Sequence, residues 1–488
     1  MNYICLFMSA ILLGACAHKT VERSEEVNYR PQFHMTPPSQ WMNDPNGMVY
    51  YEGEYHLFYQ HYPDSNVWGP MHWGHAVSSD MVHWEHLPIA LYPDSLGYIF
   101  SGSAVIDKNN TSGLGSVDNP PMVAIFTYHD PKGEKSGRND YQTQGLAYSL
   151  DKGRTWTKYA NNPVLMNPGI RDFRDPKVSW NPDADKWIMI LAAKDHVNMY
   201  SSPDLLDWSL ESEFGRSIGA HGGVWECPDL FPLNDEVGNT HWVMLVSINP
   251  GGPQGGSATQ YFVGKFNGSE FTPYDSITRW VDHGADNYAG VTWSNVPEND
   301  GRRLFLGWMS NWQYATTVPT HEWRSAMTIP RELMLQHING ELALVSKPVS
   351  EINSIENKPV EFTQSVSLKS PLVKIDLKVN DEPFQLDLSN GQKDKLVITY
   401  TGEFLSVNRA QSGKVNFNQA FPATHSVNVK DLEVKQIRVY LDRSSLEVFV
   451  NEGQRVITDL IFPNQPYNKL TLDNQSIQAQ VTYLNPVW

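Results

Sequence analysis

Short apolar runs separated by glycine, proline, asparagine and aspartate dominate the first two thirds of the chain. Residues 48–51, 55–59, 122–126, 187–191 and 242–246 are examples. Runs of this length between turn residues are typical of β-strands, and no long helical period interrupts them. Residues 29–345 are therefore predicted to form an all-β region.

A weak internal repeat divides this region into units. An aspartate followed by a tryptophan a few positions later recurs at Asp80 and Trp84, Asp151 and Trp156, and Asp204 and Trp208. The spacing from one aspartate to the next is irregular and spans several tens of residues. Repeat units of that length are typical of propeller blades, each of which is one antiparallel sheet. The repeat predicts a β-propeller without fixing the number of its blades.

Residues 359–488 alternate between apolar and polar positions, for example in 373–377, 396–400 and 437–441. Dense alternation of this kind is typical of an antiparallel β-sandwich. The polar residues 346–358 are predicted to link it to the propeller. Many such sandwiches bind sugars, but we expect this one to serve as a packing partner.

The N-terminus resembles that of a bacterial lipoprotein. Residues 4–15 are apolar and are followed by Cys16, with a leucine three positions before that cysteine and small residues between. We expect a signal peptide over residues 1–16, lipidation of Cys16, a polar tether over residues 17–28 and export to the cell envelope. The orientation, towards the periplasm or the cell surface, stays open.

Composition narrows the classes of partner. The formal net charge of -17 argues against nucleic acid, whose affinity comes largely from lysine and arginine. Outside the N-terminal stretch only Cys227 remains, so neither an intrachain disulfide nor a cysteine metal site is expected. No phosphate loop or dinucleotide fingerprint is present, so no cofactor is predicted. The spacing of the neighbouring His72, His75, His83 and His86 matches no standard metal site, so no metal is predicted. The oligomeric state stays open.

Three acidic residues occur in compact, proline-containing settings close to aromatic residues: Asp44 before Pro45, Asp175 before Pro176, and Glu226 two positions before Pro228. Each setting alone is ordinary turn material. Together they indicate a carboxylate active site. The 12% aromatic content fits a sugar site, and it fits equally a large β-protein that uses aromatic residues to fill its strands.

The segments around these acids, WMNDPNG, FRDP and WECP, resemble the signature blocks of glycoside hydrolase family 32, the invertases, inulinases and levanases. Residues 100–103, 249–264, 307–312 and 441–449 also resemble that family. The resemblance covers nearly the whole chain after the N-terminal segment. It implies a five-bladed β-propeller followed by a β-sandwich.

The resemblance also implies roles for individual residues. Asp44 would be the nucleophile, Glu226 the general acid/base and Asp175 the stabiliser of the transition state. Sugar contacts would come from Asn43, Gln60, Trp68, Ser101, Arg174 and Trp312. Asp286 and Tyr288 lie in a further family block, where their roles stay open.

The two catalytic roles place opposite demands on the two carboxyl groups. Glu226 must start protonated, which favours an apolar setting or a neighbouring carboxylate. Asp44 must be ionised, and Asn43 and Asn46 are expected to hold it so. In a retaining enzyme the two groups lie about 5–5.5 Å apart. Cys227 is expected to pack beneath Glu226 without acting as a nucleophile.

These observations predict a retaining hydrolase that releases fructose from the ends of levan or inulin chains, and possibly from sucrose. An endo-acting levanase that gives oligosaccharides is the nearest alternative. Transfer of fructose to another sugar, a glycosidase of pentose polymers and a non-catalytic fructan-binding lipoprotein are further alternatives. The sequence leaves the preference between β-2,1 and β-2,6 linkages undecided.

Overall fold

The structure is a computed structural model that describes residues 27–488. The predicted signal peptide and Cys16 lie outside the described residues. Within them the chain forms strands, one short α-helix and one 3-10 helix. The predicted all-β class is confirmed.

Three antiparallel sheets form the first part of the propeller. The first contains β1 (Gln40–Tyr51), β2 (Glu54–Tyr62), β3 (His72–Ser78) and β4 (Glu85–Leu91). The second contains β5 (Tyr98–Ile106), β6 (Met122–His129), β7 (Gln142–Ser149) and β8 (Thr157–Lys158), with helix α1 (Pro131–Lys135) after β6. The third contains β9 (Phe173–Asn181), β10 (Lys186–Ala193), β11 (Val197–Ser202) and β12 (Ser209–Phe214).

Two further sheets complete it. The fourth contains β13 (Val224–Asn234), β14 (Thr240–Asn249), β15 (Ala258–Phe266), β16 (Phe271–Pro273) and β17 (Arg279–Trp280). The fifth is built from β18 (Tyr288–Thr292), β19 (Arg303–Met309), β21 (Ala326–Met327), β22 (Arg331–Ile338) and β23 (Glu341–Pro348). Strand β20 (Trp323–Arg324) leaves this region and pairs in parallel with β1. This pairing ties the end of the propeller to its beginning.

The innermost strand of each sheet contacts the innermost strands of its two neighbours. β1 contacts β5, β5 contacts β9, β9 contacts β13, β13 contacts β18, and β18 contacts β1 again. The ring therefore closes after five sheets. The predicted five-bladed propeller is confirmed.

The internal repeat corresponds to one turn, which precedes the last strand of the first three blades. A serine hydroxyl donates to the repeat aspartate in all three, and the indole of the repeat tryptophan donates to the carbonyl three residues before it. The residue whose carbonyl accepts this bond has a positive φ in all three turns: 63° at Met81, 76° at Gly153 and 68° at Leu205. The repeat thus marks a structural turn, which explains its presence without any functional role.

The C-terminal part has twelve strands: β24 (Val360–Phe362), β25 (Ser365–Ser367), β26 (Val373–Lys378), β27 (Phe384–Ser389), β28 (Lys395–Tyr400), β29 (Phe404–Gln411), β30 (Thr424–Asn428), β31 (Gln436–Leu441), β32 (Ser445–Val450), β33 (Arg455–Leu460), β34 (Lys469–Leu472) and β35 (Gln478–Tyr483). One sheet has the order β24-β35-β26-β31-β32-β33 and the other β25-β34-β27-β28-β29-β30. Their alternating apolar residues share one core, as the sequence pattern predicts for a sandwich.

β23 continues to Pro348, and a 3-10 helix occupies Ser350–Ile355, within the region predicted as a linker. The two domains meet through buried charges. The fully buried Arg331 donates to Asp282 at 3.1 Å and to Glu447 of the sandwich at 2.6 Å. Backbone amides of His283 and Asp286 donate to carbonyls of β33, so the segment before β18 is fixed against the sandwich.

Candidate active site

Each innermost strand of the propeller supplies a polar side chain near its start. These residues are Asp44 on β1, Ser101 on β5, Asp175 on β9, Glu226 on β13 and Tyr288 on β18. In each blade, the register between the innermost strand and the strand paired with it shifts next to this polar residue. The shift produces a β-bulge in all five blades. Bulges redirect side chains, and here they lie where the five strands converge.

The backbone is strained at three positions among these bulges. Asp175, Cys227 and Ala289 have φ values of 66°, 45° and 53°. Positive φ is costly for residues with a side chain, and such positions cluster at functional sites. Because this strain opposes stability, it marks the converging strand ends as a candidate site.

Asp44 is held by two side-chain donors. Ser101 Oγ donates to Asp44 Oδ2 at 2.9 Å, and Asn43 Nδ2 donates to Asp44 Oδ1 at 3.0 Å. The indole of Trp41 donates to Asn43 Oδ1 at 2.7 Å, which orients that amide. Burial, with the charge of Glu226, nevertheless raises the pKa of Asp44 to about 6.

Asp175 lies deeper, and its backbone and side chain are both fixed. Its amide donates to Thr127 Oγ1 at 3.0 Å, and its Oδ2 accepts from the amide of Cys227 at 3.0 Å. Burial raises the pKa of Asp175 to about 7 against the opposing charge of Arg174, and the charges of Glu226 and Asp44 act in the same direction as burial. The acids therefore lie close enough to influence one another.

Glu226 has two polar neighbours besides the other acids. Arg174 Nη2 donates to Glu226 Oε1 at 2.8 Å, and the hydroxyl of Tyr288 donates to Glu226 Oε2. Arg174 also donates to Asp172 Oδ1 at 2.7 Å, so its guanidinium is fixed between two carboxylates. Burial and the charge of Glu226 raise the pKa of Tyr288 well above its usual range.

Cys227 lies between two of the acids. Its Sγ is 3.5 Å from Asp175 Oδ2 and 3.6 Å from Asp44 Oδ2. Burial, with the charges of Asp175 and Asp44, raises the pKa of the thiol well above its usual range. A neutral thiol is a poor nucleophile, so the geometry is that of a weak donor between carboxylates.

Comparison with known proteins decides the family. A model described as "Glycosyl hydrolases family 32 N-terminal domain" matches residues 34–348, and one described as "Glycosyl hydrolases family 32 C terminal" matches residues 341–486. This chain belongs to glycosyl hydrolase family 32. The suspected family is confirmed.

Its relatives in the family include the levanase of Bacillus subtilis (strain 168), which is 48% identical over 95% of this chain and 71% of that protein. The extracellular exo-inulinase of Aspergillus awamori is 39% identical over 89% of this chain and 90% of that protein. The crystal structure of the latter exo-inulinase superposes with a TM-score of 0.87 at 35% identity, covering 95% of this chain and 99% of that one.

Three of the sugar-contact candidates from the family resemblance surround the acids at different depths. Gln60 on β2 is 2% exposed, and its Nε2 has no hydrogen-bond partner. Trp68 is 41% exposed and contacts the edge of Phe100, next to Ser101. Trp312 is partly buried and stacks on Trp41 with ring centroids 5.9 Å apart.

The structure corrects one expected contact of this family 32 site. Asn46 Nδ2 lies 3.4 Å from the backbone carbonyl of Asp44 and makes no hydrogen bond to its carboxylate. Ser101 supplies the second donor instead. Cys227 was expected to pack beneath Glu226, and its thiol lies against Asp175 and Asp44. Thr127 and Tyr288 were not predicted to contact the acids, since they come from neighbouring blades; the family block around Tyr288 was the only signal.

Neither metal ligation nor membrane crossing is indicated by the part of the chain that the structure describes. Residues 27–488 contain no group of three or more histidine, cysteine, aspartate or glutamate side chains arranged to hold a metal ion. Over the same residues, no helix is long and apolar enough to cross a membrane.

Proposed function

We propose that this protein is a retaining β-fructosidase that releases fructose from the ends of fructan chains and from sucrose. The observation that carries the proposal is the convergence of three acids on bulged strand ends, where burial and the charge of Glu226 raise the pKa values of Asp44 and Asp175. Membership of family 32 and the names of its relatives, levanase and exo-inulinase, support fructans as the substrate.

In the first step, Asp44 acts as the nucleophile. One of its carboxylate oxygens attacks the anomeric carbon of the fructosyl unit while the carboxyl of Glu226 gives its proton to the leaving glycosidic oxygen. The C–O bond to the leaving group breaks and a fructosyl ester of Asp44 forms. Ser101 and Asn43 favour the ionised form of Asp44 that this attack requires.

In the second step, water replaces Asp44. The Glu226 carboxylate, deprotonated in the first step, accepts a proton from the water as its oxygen attacks the anomeric carbon. The ester bond breaks, fructose leaves, and Asp44 is again a carboxylate. Arg174 and Tyr288 hold Glu226 from two sides, so the same side chain is positioned for both proton transfers.

Asp175 would hold hydroxyl groups of the fructosyl unit as positive charge develops on it. Its Oδ2 accepts from the Cys227 amide, which fixes the carboxylate towards the other acids. Gln60 Nε2 is an unused donor for a sugar oxygen, and Trp68 offers an exposed ring for an apolar sugar face.

The proposal is tested by product analysis. Protein lacking residues 1–16 is incubated with levan, inulin and sucrose, beside Glu226→Gln and a matched control, Glu270→Gln, at an exposed glutamate. Fructose as the sole early product, lost in Glu226→Gln and kept in the control, is expected. The polymer that is cleaved faster names the preferred linkage.

Other product patterns would change the proposal. Oligosaccharides as early products from levan would indicate an endo-acting enzyme. Fructose transferred to sucrose at high sucrose concentration would indicate a transferase. No release from any of the three substrates would overturn the hydrolase and favour a fructan-binding lipoprotein.

Export with a lipid tether at Cys16 is the second part of the proposal. It is supported by the apolar run before Cys16 and by the word "extracellular" in the name of the Aspergillus relative. Labelling of producing cells with radioactive palmitate is expected to mark the wild-type protein and not Cys16→Ser. Label in neither protein would contradict the tether.

A further inference from the structure

A second cavity opens at the other end of the propeller's central channel. Its volume is about 370 Å³, and Val105, Lys177, Asp229 and Thr292 are among the residues that line it. They lie on the same four inner strands as Ser101, Asp175, Glu226 and Tyr288, two to four residues further along each. At about 3.3 Å per residue, the cavity is about 7–13 Å from the acids along the strands.

Only one of the two carboxylate oxygens of Asp229 has hydrogen-bond partners. Its Oδ2 accepts from the amide of Thr292 at 2.7 Å and from its hydroxyl at 2.8 Å, and Lys177 Nζ is 3.0 Å away. Its Oδ1 is buried without any hydrogen-bond partner. Since an unpartnered buried carboxylate oxygen is costly, it marks an acceptor that is available to a ligand.

An unused donor lies in the same cavity. Arg303, the first residue of β19, lines it, and Arg303 Nε is buried without a hydrogen-bond partner. Its guanidinium lies over the ring of Phe231, 5.0 Å from the centroid. This ring contact orients the guanidinium but accepts none of its conventional hydrogen bonds.

The two unused groups together define the class of ligand. An anion would satisfy Arg303 and be repelled by Asp229, and a cation would have the reverse difficulty. Neighbouring hydroxyl groups can donate to Asp229 Oδ1 and accept from Arg303 at once. Trp180, partly exposed in the cavity wall, offers a ring for an apolar sugar face.

We propose that this cavity is a second, non-catalytic binding site for a neutral, hydroxyl-rich ligand of one or two sugar units. The volume suits a ligand of that size. The unpartnered atoms of Asp229 and Arg303 are present whatever the roles of Asp44 and Glu226. The choice of fructose as the probe rests on the proposed function.

Counting of sites tests the proposal. Equilibrium dialysis of radioactive fructose against full-length Glu226→Gln, which does not turn over substrate, is expected to give two sites per chain at saturation. Adding Arg303→Leu is expected to reduce the number to one. Arg443→Leu, at a partly buried arginine outside the cavity, is the matched control and keeps two sites. Thermal unfolding checks that each variant is folded.

Several results would overturn the site or its ligand class. One site in Glu226→Gln, or two in the folded Arg303→Leu variant, would overturn the site itself. Phosphate binding to the cavity in place of fructose would overturn the neutral ligand class. None of these results affects hydrolysis by the wild-type protein, so the proposed function is tested separately.

The source of the ligand is read from a second probe, a fructosyl trisaccharide. If it also occupies both sites, the second site accepts chain ends. If only fructose occupies it, the site holds released product. Both outcomes support the site.

Discussion

Two groups of buried carboxylates in this molecule have opposite electrostatic surroundings. At the propeller centre, burial and neighbouring acids raise the pKa values of Asp44 and Asp175 to about 6 and about 7. At the domain interface, Asp282 and Glu447 are also buried, but Arg331 holds their pKa values below the usual range against the effect of burial. All four are carboxyl groups, and the charges of their partners differ.

The difference separates catalysis from stability. Each interface acid has a matched cation: Arg331 bridges both, and His34 Nε2 lies 2.9 Å from Glu447. In the site, Arg174 pairs with Glu226 and its charge also acts on Asp175, while the backbone is strained at Asp175 and at Cys227 beside Glu226. Acids that repel one another exchange protons readily near neutral pH, whereas paired acids stay ionised and hold the domains together.

Asp44→Asn gives the largest expected effect. The amide keeps the shape of the side chain but cannot form the fructosyl ester, so kcat/KM for sucrose is expected to fall on the order of 10⁵-fold. Initial rates measure the loss, and Asp64→Asn, at an exposed aspartate, is the control. A loss below about tenfold would exclude Asp44 as the nucleophile.

Arg331→Met tests the interface group. The substitution leaves Asp282 and Glu447 buried without their cation, so the free energy of unfolding is expected to fall by about 3–5 kcal/mol. Urea unfolding measures the change. Arg302→Met, which removes a more exposed pair with Asp300 and Glu351, is the control and is expected to lose about 1 kcal/mol or less. Equal losses of stability in the two variants would contradict a special role of Arg331 in holding the buried interface acids.

The pH dependence of stability distinguishes the two groups by sign. The folded state holds the protons of Asp44 and Asp175 to higher pH than the unfolded chain, which loses them near 3.8. The free energy of unfolding therefore falls as pH rises from about 4 to 7. Asp44→Asn removes one such group, so it is expected to be about 3 kcal/mol more stable than wild type at pH 8 and equal at pH 3.5.

The interface carboxylates titrate in the opposite way. The stability supplied by Glu447 and Asp282 is present above their usual pKa values and is lost only on acidification. Although burial opposes it, hydrogen bonds to Asp442 and Glu447 raise the pKa of His34 to about 9, so its contribution is lost between about pH 6.5 and 9. Urea unfolding of His34→Gln should lack that alkaline loss, and an unchanged profile would contradict it.

Much of this fold can be predicted from local sequence patterns. Strand positions and the repeated turn depend on neighbours within a few residues, so alternation and turn residues predict them. The blade number came from the family resemblance, because ring closure depends on contacts between distant strands. Arg331 occupies an ordinary strand position, and it is buried only because the sandwich packs against it. No local sequence pattern predicts that burial.

The candidate site also contains residues that local sequence predicts and residues that it does not. Asp44, Asp175 and Glu226 each lie in a recognisable proline-containing segment, so they could be found one at a time. Asn43, next to Asp44 in sequence, was also expected to hold it and does so, whereas the contact of Ser101 with Asp44 could not be found from local sequence because the two are 57 residues apart. The expectation for Asn46 was wrong for this reason: a bulge turned it away, and a neighbouring blade supplied the donor.

Ser101→Ala gives the smallest expected effect and tests that donor directly. Loss of its hydrogen bond to the ionised Asp44 carboxylate is expected to raise the pKa of that group above about 6. Because the nucleophile must be ionised, the acidic limb of the kcat/KM profile should shift to higher pH by up to about one unit, with about a tenfold loss at pH 5.5. Ser103→Ala, on the same strand but donating nothing to the acids, is the control. If both variants keep the wild-type limb, Ser101 does not tune Asp44, and the raised pKa at the propeller centre follows from burial and the neighbouring acids alone.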